Sequence, residues 1–170
     1  LVSYQIILVI KRLGGWTIKI SFDLDGTICD SDWGWLDRLK DNHGVGANWP
    51  KDEEEKYYAC REKVLDPYHF MALDDTAIIL TGRPLHLKDI TEKWLHKNGL
   101  GEFPVVFTKT LKGTPTATRE EFKRLGEAKA KFFIDEGIRV HFDDNEQVVQ
   151  SMRAAFPEMV VIHTGWHIAW

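Results

Sequence analysis

Phe22-Asp23-Leu24-Asp25-Gly26-Thr27-Ile28 is the stretch from which the fold can be read. Apolar residues alternate through Ile18, Ile20 and Phe22, as along a strand with one buried face. The strand ends in two carboxylates one residue apart, which in an extended chain point the same way. Gly26 then allows a sharp turn. Carboxylates at the carboxyl end of a strand sit where open α/β sheets place their ligands. A hairpin turn with two solvated Asp residues is the plainer alternative, and the rest of the chain has to decide between them.

Strands and helices alternate along the remainder of the chain. Asp74 to Leu80 reads as a buried strand running into Thr81-Gly82-Arg83-Pro84. A helix comes next, with Leu87, Ile90, Trp94 and Leu95 inward and Gly99 as its stop signal. Pro104 to Phe107 is a short strand, and Lys109 to Ala117 a loop. Thr118, with Glu121 three residues on, has the pattern of a capping box, and its helix runs to about Glu136. Arg139 to Phe142 is a strand closing on Asp143-Asp144-Asn145. Glu146 to Phe156 is a helix and Met159 to His163 a last strand. Strands separated by helices imply parallel β-α-β units, hence a doubly wound α/β sheet.

Between the opening motif and the second strand lies a segment of another character, residues 30–73, rich in aromatics and charge runs. Asp30 or Ser31 can cap a helix to about Asn42, and a loop extends from His43 to Pro50. A second helix is expected from Asp52 to Leu65, ended by Pro67. Two helices inserted here look like a small helical cap on a core made of residues 1–29 and 74–170. Residues 1–16 read as an extra edge strand or an untidy terminus.

Four polar clusters fall at element ends: Asp23 with Asp25, Thr81, a lysine of the Thr118 helix, and Asp143 with Asp144. In that order they resemble the haloacid dehalogenase (HAD) superfamily, from about Thr17 to His163 apart from the cap. The strings Leu80-Thr81-Gly82-Arg83-Pro84 and His141-Phe142-Asp143-Asp144-Asn145 are similar to those of small phosphatases, including polynucleotide 3′-phosphatase domains and deoxynucleotidases. The resemblance implies a HAD-like Rossmannoid core and a phosphomonoester hydrolase. Asp23 would be the nucleophile and Asp25 the general acid and base. Thr81 and the Gly82 amide would bind phosphate. Magnesium would be held by Asp23, the Asp25 carbonyl and the pair Asp143 and Asp144, with the direct ligand of that pair left open. Dehalogenases of the superfamily lack the second Asp, so Asp25 speaks against carbon–halogen chemistry.

The lysine is chosen by helical phase. Phe122, Leu125, Lys129, Phe132 and Glu136 recur on one stripe, whereas Lys131 falls with Arg124 and Glu127 on the side expected to be solvated. A lysine on an inward stripe needs a partner, and clustered carboxylates supply one. Arg83 is a weaker candidate for the substrate phosphate, because an Arg opening a helix is more often at the surface. His141 reads as a satisfied core histidine. Trp33, Trp35 and Trp49 are weak candidates for stacking on a nucleobase, with packing of the cap as the commoner role.

The favoured substrate is a nucleotide or nucleic-acid end, with a small-metabolite phosphate close behind. A HAD-like module that binds without catalysing, and phosphotransfer to an acceptor other than water, are the rivals. With 170 residues the chain suits one compact domain with a small insertion, and 28% charged residues suit a soluble one. A net charge of -4 gives no footprint for a long nucleic-acid duplex. The opening apolar run is too short to span a membrane and lacks the flanks of a signal peptide. Cys29 and Cys60 read as reduced thiols of a cytoplasmic protein, although their spacing leaves a disulfide open.

Overall fold

The computed structural model describes residues 18–31, 34, 37–38, 41–42, 50–71, 75–108 and 118–164. They form one parallel sheet of five strands: β1 (Lys19–Phe22), β2 (Thr76–Thr81), β3 (Val105–Phe107), β4 (Val140–Asp143) and β5 (Val160–His163). The order across the sheet is β3-β2-β1-β4-β5, and every neighbouring pair is parallel. Among the described residues, four complete α-helices accompany it: α1 (Lys51–Ala59), α2 (Lys88–Lys97), α3 (Arg119–Glu136) and α4 (Glu146–Ala155). The architecture is the doubly wound α/β arrangement expected from the alternation of elements.

Strand alternation divides the core into two layers. Ile18, Ile20 and Phe22 of the β1 segment join Ala77, Ile79, Val140, Phe142 and the α2 residues Trp94 and Leu95 on one face. Phe22 and Phe142 stack with ring centroids 4.7 Å apart. On the other face Ile78, Leu80 and Val161 pack against Leu125, Ala130 and Phe133 of α3 and Val148, Val149 and Met152 of α4. Connections from β2 and from β4 thus pass on opposite faces. The strand order reverses between β1 and β4, and a crevice opens at their carboxyl ends. Phe22 is level with Phe142, so Asp23 and Asp143 emerge side by side at that crevice.

Helix ends obey the local chemistry. Thr118 and Glu121 form both halves of the capping box on α3, which ends at Gly137 with φ +66°. Asn145 caps α4 by accepting from the amides of Gln147 and Val148.

The expected helix from Asp52 to Leu65 is shorter. It stops at Ala59, and the chain runs extended so that the amides of Val64 and Leu65 reach the Ile28 carbonyl. Leu65 is thereby buried in the sheet core, a reward that continued helix would forgo. Pro67 opens a 3-10 turn over Pro67–Phe70 rather than closing a helix. Residues 34, 37, 38, 41 and 42 are helical, as expected. Residues 1–17 and the loop at 109–117 lie outside the described residues, as do Trp33, Trp35 and Trp49.

Candidate active site

The turn after β1 is built on the Leu24 carbonyl, which accepts from the amides of both Ile28 and Cys29. Gly26 sits in it at φ +80°. A Cβ there would stand 2.1 Å from Oδ2 of Asp144, so the turn and the Asp144 carboxyl occupy adjoining space. Asp23 follows β1 directly and Asp25 lies within the turn, and their side chains take different partners. The pair that spacing brings together on paper is addressed by two different cations.

Asp23 belongs to a buried cluster. The Lys129 ammonium donates to Asp23 Oδ1 and to Asp143 Oδ2, each at 2.6 Å, with its side chain 1% exposed. Both oxygens of Asp143 are engaged: Oδ1 accepts from the Asn145 amide at 2.9 Å, and Oδ2 also faces His141 Nε2 at 3.1 Å. Asp144 is half-buried and makes no side-chain hydrogen bond or ion pair among the described residues. Lys131, the alternative lysine, is exposed.

One ammonium serves three carboxylates, and this sets the electrostatics. Burial acts to lower the Lys129 pKa, but Asp143 and Asp23 outweigh it and hold the ammonium above its usual range. Burial likewise acts to raise Asp143, and Lys129 with His141 overcomes it, so this carboxyl lies well below the carboxylate range. Asp23 is pushed up to about 7 by burial and by Asp143, with Lys129 pulling the other way. Asp144 is pushed up to about 8 by burial, then by Asp143 and Asp23. The unpartnered carboxyl carries the strain of the excess negative charge.

Asp25 faces outward and is held by Arg83. Nε donates to Oδ2 at 2.8 Å and Nη2 to Oδ1 at 2.5 Å, with the Arg side chain 1% and the Asp side chain 31% exposed. Arg83 is therefore neither at the surface nor aimed at open space. Thr81 is fully buried at the end of β2, and its Oγ1 accepts from the Arg83 amide at 3.0 Å. That contact leaves the hydroxyl proton available to a further acceptor. Gly82 is buried beside it.

His141 is more than a core residue. Two positions before Asp143 on β4, it shares that side of the strand, and it stands level with Ser21 of β1. Its Nδ1 lies 2.8 Å from Ser21 Oγ. A carboxylate cannot donate, so Nε2 carries the proton toward Asp143, while Nδ1 faces both the Ser21 hydroxyl and, at 3.2 Å, the Ser21 carbonyl. Burial lowers the His141 pKa to about 4, which keeps the ring neutral. The two-residue spacing His141-x-Asp143 is the sequence signal for this contact.

Every candidate metal donor here is an oxygen, the hard set that magnesium takes. Among the described residues no three His, Cys, Asp or Glu side chains gather closely enough to hold an ion as they stand, and Lys129 and Arg83 each engage carboxylates of the site. The donor chemistry fits such a cation through Asp144, whose carboxyl is in contact with no cation among the described residues, and Asp23 beside it. Cys29 and Cys60 are both free thiols. Among the described residues no helix is long and apolar enough to cross a membrane. A groove of about 430 Å³ between α3 and α4, lined by Arg119, Lys123 and Gln150 among others, includes none of the candidate site residues.

No protein-family model matches the chain. No curated protein matches it significantly. Among solved structures it is similar to a chain of the "Structure of the Pnkp1/Rnl/Hen1 RNA repair complex", at 15% identity and a TM-score of 0.47. That likeness covers 88% of this chain and 43% of the other, so this chain spans less than half the length of its counterpart.

Proposed function

We propose that the protein is a magnesium-dependent phosphomonoester hydrolase of the HAD type, working through an aspartyl-phosphate on Asp23. One observation carries the reading: Lys129 bridges Asp23 and Asp143 at the carboxyl ends of β1 and β4, with Asp25 in the turn that follows β1. Asp23 attacks phosphorus, and the phosphorus–oxygen bond to the leaving group breaks with its electron pair going to the ester oxygen. Asp25 supplies the proton that this oxygen takes up. Water then attacks the aspartyl-phosphate, gives a proton to Asp25 and releases phosphate and free Asp23. Lys129 offsets charge on the phosphoryl oxygens, and the Thr81 hydroxyl with the Gly82 amide receives one of them.

Magnesium would supply further charge neutralisation, held by Asp23, the Asp25 carbonyl and Asp144. We assign the third place to Asp144 because Asp143 already has every oxygen engaged. A nucleotide or nucleic-acid end is the favoured substrate on the motif resemblance, with a compact metabolite phosphate as the second choice.

The test is phosphate release from an aryl phosphate and from nucleotides and 3′- and 5′-phosphorylated oligonucleotides, with and without magnesium. Asp23→Asn is expected to remove turnover by several orders of magnitude with the fold retained, since an amide cannot replace the nucleophile. Near-normal turnover in that variant would sink the mechanism. A protein that binds such esters without releasing phosphate is instead a binding module.

A further inference from the structure

Arg83 is built into the molecule with more care than a helix-opening arginine needs. Its fork on Asp25 uses Nε and Nη2. Nη1 donates to Thr91 Oγ1 at 3.1 Å, and that hydroxyl donates in turn to the Leu87 carbonyl at 2.8 Å. The guanidinium carbon lies 4.3 Å from the centre of the Tyr58 ring. Nη2 also approaches Cys29 Sγ at 3.7 Å. Arg83 is 2% exposed, and Thr91 and Tyr58 are buried with it.

A guanidinium recognises a phosphate through two parallel N–H donors, and here that fork is already spent on a carboxylate. Asp25 lies beyond β1 in the bend that turns on Gly26, its side chain is partly exposed, and besides the fork it accepts a long contact from Cys29 Sγ at 3.5 Å, so the fork is its main restraint. Proton transfer to a leaving oxygen demands a fixed distance and direction. Arg83 uses one acceptor site on each Asp25 oxygen and the Cys29 thiol approaches the second site of Oδ1, which leaves the second site of Oδ2 for the proton.

We propose that Arg83 is a positioning residue that aims Asp25 at the leaving-group oxygen, with Thr91 and Tyr58 holding the guanidinium in plane, and that it does not bind the substrate phosphate. This role rests on the phosphatase mechanism proposed for Asp23 and assigns its proton-transfer geometry to residues from the connection after β2, from α2 and from α1.

Leaving-group dependence tests it. p-Nitrophenolate departs without a proton, whereas an alkyl alcohol needs one. Arg83→Ala, Arg83→Lys and Thr91→Val are compared with the unaltered full chain on p-nitrophenyl phosphate and on an alkyl phosphate, together with inhibition by inorganic phosphate. Arg83→Ala is expected to lower kcat on the alkyl ester by about 10²–10⁴-fold, the usual worth of general acid catalysis. The loss on the aryl ester is expected to be at least tenfold smaller, with phosphate inhibition unchanged. Thr91→Val should give the same pattern more weakly. Arg83→Lys keeps the charge without the fork and should fall between, which secures the test if Arg83→Ala does not fold. Equal losses on both esters, or weakened phosphate inhibition with kcat retained, overturn the positioning role and leave the phosphatase reading standing. An unaltered protein that hydrolyses neither ester overturns both.

Discussion

Lys129 shows how a charge can be buried in an apolar layer and remain charged. Its neighbours on α3, Leu125, Ala130 and Phe133, pack against the sheet, and the ammonium emerges from them between two carboxylates. Removing one partner of such a group leaves uncompensated charge behind, which costs about 3–5 kcal/mol. Lys129→Ala is therefore expected to lose stability on that scale and most of the phosphate release, while Lys131→Ala, at an exposed position, should stay within about 0.5 kcal/mol. Denaturant titration with a turnover assay on both variants checks this, and equal losses would show that the bridge has no special role. Helical phase alone is enough to separate the two lysines. It is silent on Arg83, which lies in a connection with no period and whose partner Asp25 is 58 positions away. His141 reads as core because burial is visible in the pattern, whereas its contact with Asp143 depends on strand facing.

At the level of elements, what is legible is what local chemistry dictates. The capping box at Thr118 and the left-handed stop at Gly137 are short-range, and both stand where the sequence places them. The segment after Ala59 differs because its conformation is decided by distant partners, the Ile28 carbonyl and the sheet core beneath Leu65. The turn at Gly26 combines the two. Its left-handed φ favours glycine locally, and the Asp144 carboxyl from the β4 end fills the space a Cβ would need. Gly26→Ala is expected to cost about 1–2 kcal/mol for the left-handed backbone. Asp144 is the more movable party, so the carboxyl should be displaced. Half-saturation by magnesium in the phosphatase assay should then rise well beyond what the modest loss of stability explains. Unchanged magnesium dependence in a folded Gly26→Ala protein would separate Asp144 from the cation.

At the scale of the whole molecule, the parallel order β3-β2-β1-β4-β5 brings residues from opposite ends of the chain to one crevice. That convergence is implied by strands alternating with helices. The balance of charge inside it is not, because burial and partner distances set it. The folded and unfolded states consequently bind protons differently. Asp144 and Asp23, raised from 3.8 to about 8 and about 7, hold protons in the folded state that the unfolded chain has lost, so their contribution falls away as pH rises through those values. His141 acts in the opposite sense. Lowered from 6.5 to about 4, it contributes fully above its unfolded value and loses that contribution as pH falls toward 4. Below about pH 7 the effects oppose one another. Above it the histidine contribution is nearly complete, and the buried Cys29 thiol, raised well above 9.0, stays protonated in the fold. Between about pH 7 and 8.5, with a chelator present, Tm is therefore expected to fall as pH rises. Asp144→Asn should flatten that slope, since it removes the carboxyl with the highest value. Added magnesium should raise Tm most at the upper end of the window, where the cation replaces the missing proton. A chelated protein whose Tm climbs across the same window would mean that Asp144 is ionised throughout and that its charge is already balanced within the protein.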